Sequence, residues 1–208
     1  MSLVEAAENT YTAAPTELIN KSKCDVLYVP NANSAFPPII IEVQKAVDEK
    51  FIIRAIQYCT LVYQKYSKQP IIIIFGILSI TMPILSLTTA FIRFPFAKEL
   101  ARLVWAQCCM LISSFSLDVI DKKINQLHPL AAIGVFMCSQ ATSINMLELG
   151  KEDKLMQLLY RIALKSVEQV ARVEDEKVQR IVSICNNTSY QLLAFLYIKS
   201  VYDTIDLK

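Results

Sequence analysis

Apolar and polar positions alternate in ways that change along the chain. Cys24 to Val29 (CDVLYV) and Pro37 to Gln44 (PPIIIEVQ) are rich in strand-forming residues, and Pro30 to Phe36 (PNANSAF) between them is turn chemistry. They predict two strands joined as a hairpin with a long loop. From Val47 to Lys68 the period lengthens. Phe51, Ala55, Cys59, Val62 and Tyr66 recur at helical steps, beside a mostly polar stripe of Arg54, Gln57, Leu61, Lys65 and Lys68. Pro70 then opens PIIIIFGIL, a continuous apolar run suited to a strand buried on both faces, as in parallel pairing. Strand, helix and strand in this order predict a βαβ unit with a right-handed crossover. Pro37 and Pro70 sit at strand starts, where proline is tolerated.

Beyond Phe94 the pattern reads as helical. Ala97 to Phe115, around Trp105, predicts a helix, and Pro129 to about Leu149 one or two more. Lys151 to Val173 sets Leu155, Leu158, Leu159, Ile162, Val167 and Val170 against Lys151, Glu152, Lys154, Lys165 and Glu168, a strongly amphipathic helix. Gln191 to Tyr202 predicts the last helix. The expected class is α/β. Its parts are a leader over 1–20, a core over 21–95 and a helical extension over 96–208 packed on that core. No internal repeat or low-complexity segment occurs.

In a strand, residues two apart face the same side. Glu42 and Gln44 therefore share one face, and Ile39, Ile41 and Val43 the other. Pairing Pro30 with Pro37 gives a hairpin register in which partner numbers sum to 67, which sets Asp25 opposite Glu42. Such partners lie about 5 Å apart at Cβ, and two carboxylates there repel. A divalent cation would compensate, and two carboxylates, an amide or backbone oxygen and waters suit Mg²⁺. Two acids pointing into solvent at a strand end are the other reading of the same residues.

Composition bears on this choice. The formal charge is only +2 on 208 residues, so a strongly basic global field is absent and a grip on phosphates needs a local patch. The chain is 54% apolar, enough for a sizeable core. The six cysteines, at 24, 59, 108, 109, 138 and 185, form no CxxC pair and read as reduced, buried thiols of an intracellular protein. The start MSLVEAAENT has no hydrophobic signal core, which argues against secretion and leaves nucleus or cytoplasm open. The sequons at Asn186 and Asn187 then read as a helix start, with Thr188 and Gln191 as a capping box. The 22 residues from Ile71 to Ile92 carry no charge, long enough to cross a bilayer. Gly76, Pro83 and the scattered Ser79, Thr81, Ser86, Thr88 and Thr89 favour a strand followed by a loop or short helix, so a membrane location is not favoured.

Asp25, then Glu42-x-Gln44 on the next strand, then a helix carrying Phe51, Arg54 and Tyr58, then an Ile-rich strand, resembles the PD-(D/E)XK nuclease superfamily. The nearest branch is that of recombination-promoting nucleases and transposase-like proteins, with its fungal expansion, where the last motif residue is commonly Gln. The resemblance covers about residues 24–78 and is looser around FPFAKELARLVWAQC and HPLAAIGVF. It implies a restriction-endonuclease-like fold and Mg²⁺-dependent hydrolysis of DNA. Asp25 and Glu42 would ligate the metal. Gln44 would stand in the usual lysine's place, orienting water or the scissile phosphate. Arg54 and Tyr58 would contact phosphate or brace Glu42. Three departures stand out: Cys24 replaces the signature proline, Gln44 lacks lysine's charge, and the helix that usually precedes the first strand has little room, with Glu17 a poor match for its acid.

Other chemistries find little footing. His128, the single histidine, precedes Pro129 and suits a loop or helix start. Three glycines leave no phosphate-cradling Gly-rich loop, and no Cys/His cluster suits zinc. The expectation is a Mg²⁺-dependent DNA nuclease, with a homodimer open to it. The alternatives are a non-enzymatic interaction domain on the same fold and a membrane protein spanning Ile71–Ile92.

Overall fold

Why the hairpin, helix and Ile-rich strand assemble is visible in the computed structural model, which describes residues 10–18, 20–31, 35–101 and 104–171. Strands β1 (Tyr11–Ala14), β2 (Val26–Pro30), β3 (Ile39–Val47), β4 (Ile71–Ile80), β5 (Thr88–Ala90), β6 (Lys98–Leu100) and β7 (Cys108–Ser113) form one mixed sheet in the order β1-β2-β3-β4-β7-β6-β5. The three central strands, β3, β4 and β7, run parallel, and the pairs outside them are antiparallel. Helix α1 (Glu49–Tyr66) connects β3 to β4, the expected βαβ unit.

Alternation decides which side chains meet α1. Leu27, Ile40, Ile72, Ile74 and Leu111 form one core with Phe51, Ala55, Tyr58, Cys59 and Val62 of the helix. The intervening Ile41, Ile73, Phe75, Met110 and Ile112 are also buried, so the central strands are covered on both faces. Asp48 starts α1 by accepting the Phe51 N–H at 2.8 Å, and Ser67, at φ 54°, ends it.

The expected hairpin register is the observed one. Val26 pairs with Ile41, Leu27 with Ile40 and Tyr28 with Ile39, each pair summing to 67. Inside the span expected as a leader, β1 adds an antiparallel strand to β2, and the Tyr11 hydroxyl donates to Pro37 O at 2.9 Å. Between β3 and β4 the register slips by one residue from Gln44–Gly76 to Ala46–Ser79, a bulge at the far end of β3.

Among the described residues, the helix expected over Ala97–Phe115 does not form ahead of Ser114. CCMLIS is instead the fully buried strand β7, paired parallel with β4, and Lys98–Leu100 is β6. The five-residue apolar run Cys108–Ile112 has no period that separates a buried strand from a helix segment. The α/β unit therefore runs past the boundary expected at 95 and ends at Val119, where a second unit begins at Ile120. Helices α2 (Met82–Ser86) and α3 (Ser114–Leu117) are short elements of the first unit.

The uncharged stretch from Ile71 to Ile92 is strand β4, helix α2 and strand β5. Among the described residues no helix is long and apolar enough to cross a membrane.

In the second unit, α4 (Pro129–Ser139) and α5 (Lys154–Ala171) flank a 3-10 turn at Ile144–Met146. His128 is the N-cap of α4 and accepts the Leu130 N–H at 3.3 Å. Asp153, 3% exposed, accepts the N–H groups of Leu127 and Met156, both at 2.9 Å, and so ties a loop to the first turn of α5. The helix expected over Gln191–Tyr202 and the Thr188 cap lie outside the described residues.

Candidate active site

The backbone ladder between β2 and β3 ends at the Val26–Ile41 pair. One step beyond it the two carboxylates take over. Glu42 Oε1 accepts the Asp25 N–H at 3.0 Å, and Asp25 Oδ2 accepts the Val43 N–H at 2.8 Å. Glu42 follows Ile40 in the alternation, so its side chain lies on the face that α1 covers, and it is 2% exposed. Asp25 is half-buried.

Gln44 is the next residue on that face. Its Nε2 donates to Glu42 Oε2 at 3.0 Å, and its Oε1 accepts from Arg54 Nη2 at 3.2 Å. Arg54 is exposed, and its guanidinium lies 5.4 Å from the centre of the Phe51 ring. Tyr58, one turn further along α1, is buried. The charges of Glu42 and Arg54 both act on its phenol, but burial dominates and raises its pKa. Asp25, Glu42, Gln44 and Arg54 thus form one hydrogen-bonded chain, with Tyr58 beside it.

Electrostatics in this group follow from burial and like charge. Loss of water, then the neighbouring Asp25 charge, push the Glu42 carboxyl from 4.5 up to about 8, against smaller opposing effects from the Asp25 N–H, Gln44 and Arg54. Burial also raises Asp25, opposed by the Val43 N–H and by Arg54. The Cys24 thiol is pushed up to about 12 by burial and by Glu42, and Cys59 is raised by the same two causes. Both therefore stay protonated and inert as nucleophiles. Residue spacing gave no sign that these two thiols lie within the electrostatic reach of Glu42. The backbone N–H groups of Asp25 and Val43 were also missed, because a register places side chains opposite each other but does not say where the ladder stops.

Among the described residues no three His, Cys, Asp or Glu side chains come together as a metal-binding group. What the site offers is two carboxylates. Each carboxylate oxygen has two lone pairs. Asp25 uses one oxygen on Val43, and Glu42 uses one lone pair on each oxygen, so acceptor capacity remains on both. Hard oxygen donors of this kind fit Mg²⁺, which is commonly held by one or two carboxylates with water and substrate phosphate filling the rest. A cation there would also reverse the charge repulsion that raises Glu42.

No family model, curated protein or solved structure matches this chain.

Proposed function

We propose that this chain is a Mg²⁺-dependent phosphodiesterase of the PD-(D/E)XK type that hydrolyses DNA. The observation that carries the reading is the exchange between Asp25 and Glu42 across the β2–β3 hairpin, with Gln44 and Arg54 attached to it. Two facing acids on adjacent strands are costly unless something uses their charge. The resemblance of Asp25, Glu42-x-Gln44 and the Phe51–Arg54–Tyr58 helix to that superfamily supplies the substrate class.

Asp25 and Glu42 would hold the metal, which when bound would activate water and stabilise charge on phosphate. The rest belongs to the chain. Gln44 keeps the Glu42 carboxylate turned towards Asp25. Arg54 presents its remaining N–H donors to solvent, where a backbone phosphate can meet them. Tyr58 is buried on α1 one turn beyond Arg54, within the electrostatic reach of Glu42.

Incubation of supercoiled plasmid with the purified chain tests the proposal. Nicking that needs Mg²⁺ and disappears in Asp25→Ala and Glu42→Ala is the expected result. Undiminished activity in both variants would remove it.

One observation favours a second reading, a nuclease-like fold that binds a partner without turnover. Both carboxylates already accept backbone N–H bonds, and Gln44 brings no charge of its own. Such a chain would show no Mg²⁺ binding by calorimetry.

A further inference from the structure

We infer that Gln44 and Arg54 act as one unit, in which Arg54 on α1 delivers to the site the positive charge that a neutral Gln44 lacks. The inference rests on the phosphodiesterase reading above and goes beyond it by assigning the source of that charge.

The geometry requires an amide at 44. Gln44 donates to Glu42 with one end and accepts from Arg54 with the other. A lysine has three donors and no acceptor, so it could bind Glu42 but would repel Arg54. A carboxylate could bind Arg54 but would repel Glu42. Glutamine alone among these carries both ends, and it joins an exposed cation to a buried acid. Arg54 is also held from below. Phe51, under its guanidinium, is buried in the core, and Asp48 caps the helix start that sets the position of both. The arm is therefore anchored on a rigid element while its planar head faces solvent. A guanidinium has five N–H donors. With Nη2 on Gln44, others remain for a phosphate oxygen. Arg54 is then the residue that touches substrate, and Gln44 is a positioning residue that keeps Arg54 coupled to Glu42.

The test uses the full chain and four variants: Arg54→Gln, Arg54→Lys, Gln44→Lys and the double variant Gln44→Lys/Arg54→Gln. Two quantities are read on each, the rate of Mg²⁺-dependent plasmid nicking and the Mg²⁺ dissociation constant from calorimetry without DNA. Arg54→Gln should slow nicking by about tenfold, less than the loss typical of a buried charge-stabilising donor because this residue is solvated. Arg54→Lys should recover most of that loss. With lysine at 44 the cation is already in place, so adding Arg54→Gln should cost less than about twofold. Mg²⁺ binding to Arg54→Gln should be unchanged or tighter, since a nearby positive charge has gone. An equal loss in both backgrounds overturns the inference. So does Mg²⁺ binding that weakens as much as nicking slows, which would make Arg54 a structural brace of Glu42. Nicking by the unaltered chain that Arg54→Gln leaves unchanged removes this inference alone. An unaltered chain that cuts no DNA removes the phosphodiesterase reading and this inference with it.

Discussion

Asp25 and Glu42 each anchor the other's strand. The Glu42 carboxylate accepts the backbone N–H of Asp25 at 3.0 Å, and the Asp25 carboxylate accepts the N–H of Val43, the residue after Glu42, at 2.8 Å. Two acidic side chains are thereby held at the open end of a hairpin by bonds that also close that end. The contacts that close the hairpin's open end are the same ones that bring the acid pair together.

The first prediction concerns pH. Burial and Asp25 raise Glu42 from 4.5 in the unfolded chain to about 8 in the folded one. Between those values the folded state holds a proton that the unfolded state has released. Stability of the metal-free protein must therefore fall as pH rises through that window and level off above it, with a slope from this group of at most about 1.4 kcal/mol per pH unit. Asp25, raised by the same burial, adds in the same direction. Urea melts from pH 5 to 9 should show Glu42→Gln declining less steeply than the unaltered chain and exceeding its stability at the alkaline end. Parallel curves would mean that Glu42 does not titrate as described.

Register made the acid pair legible. Pro30 and Pro37 bracket the loop, and the sum of 67 read from them is the register observed. The βαβ unit was legible too, because Phe51, Ala55, Cys59 and Val62 keep a helical period over about three turns. Strand β7 was not. Cys108 to Ile112 is apolar throughout, and only its pairing with β4 decides between strand and helix. The link from Arg54 to Glu42 was equally hidden, since it depends on the two ends of one amide and not on spacing.

Gly76 carries the second prediction. It pairs with Gln44 at the last regular step before the β3–β4 bulge. A Cβ there would lie 3.2 Å from Val47 Cγ2 and 3.5 Å from Ile80 Cγ1. Val47 is fully buried, and its branched side chain has little freedom to yield. Gly76→Val should lower stability by about 1–3 kcal/mol, and Gly76→Ala by less. Denaturant midpoints measure both. An unchanged midpoint in Gly76→Val would show that the bulge relaxes freely.

The third prediction lies in the second unit. Asp153 is buried and satisfies the N–H groups of Leu127 and Met156 at once. Asp153→Ala leaves a buried donor unmet and removes the start of α5, a loss of about 2 kcal/mol. Asp153→Asn keeps one acceptor and should lose less. Hydrogen exchange over Leu155 to Leu159 should accelerate in the order unaltered, Asn, Ala. Equal protection in all three would show that another group starts the helix.

Titration of the metal-free chain with Mg²⁺ in a calorimeter, beside Asp25→Asn, decides whether Asp25 and Glu42 together hold a cation. Asparagine at 25 can still accept the Val43 N–H, so the hairpin end stays closed while one of the two carboxylates is removed. Saturable one-site binding in the unaltered chain and none in Asp25→Asn is the expected result. Identical titrations of the two, or no binding by the unaltered chain, would contradict it.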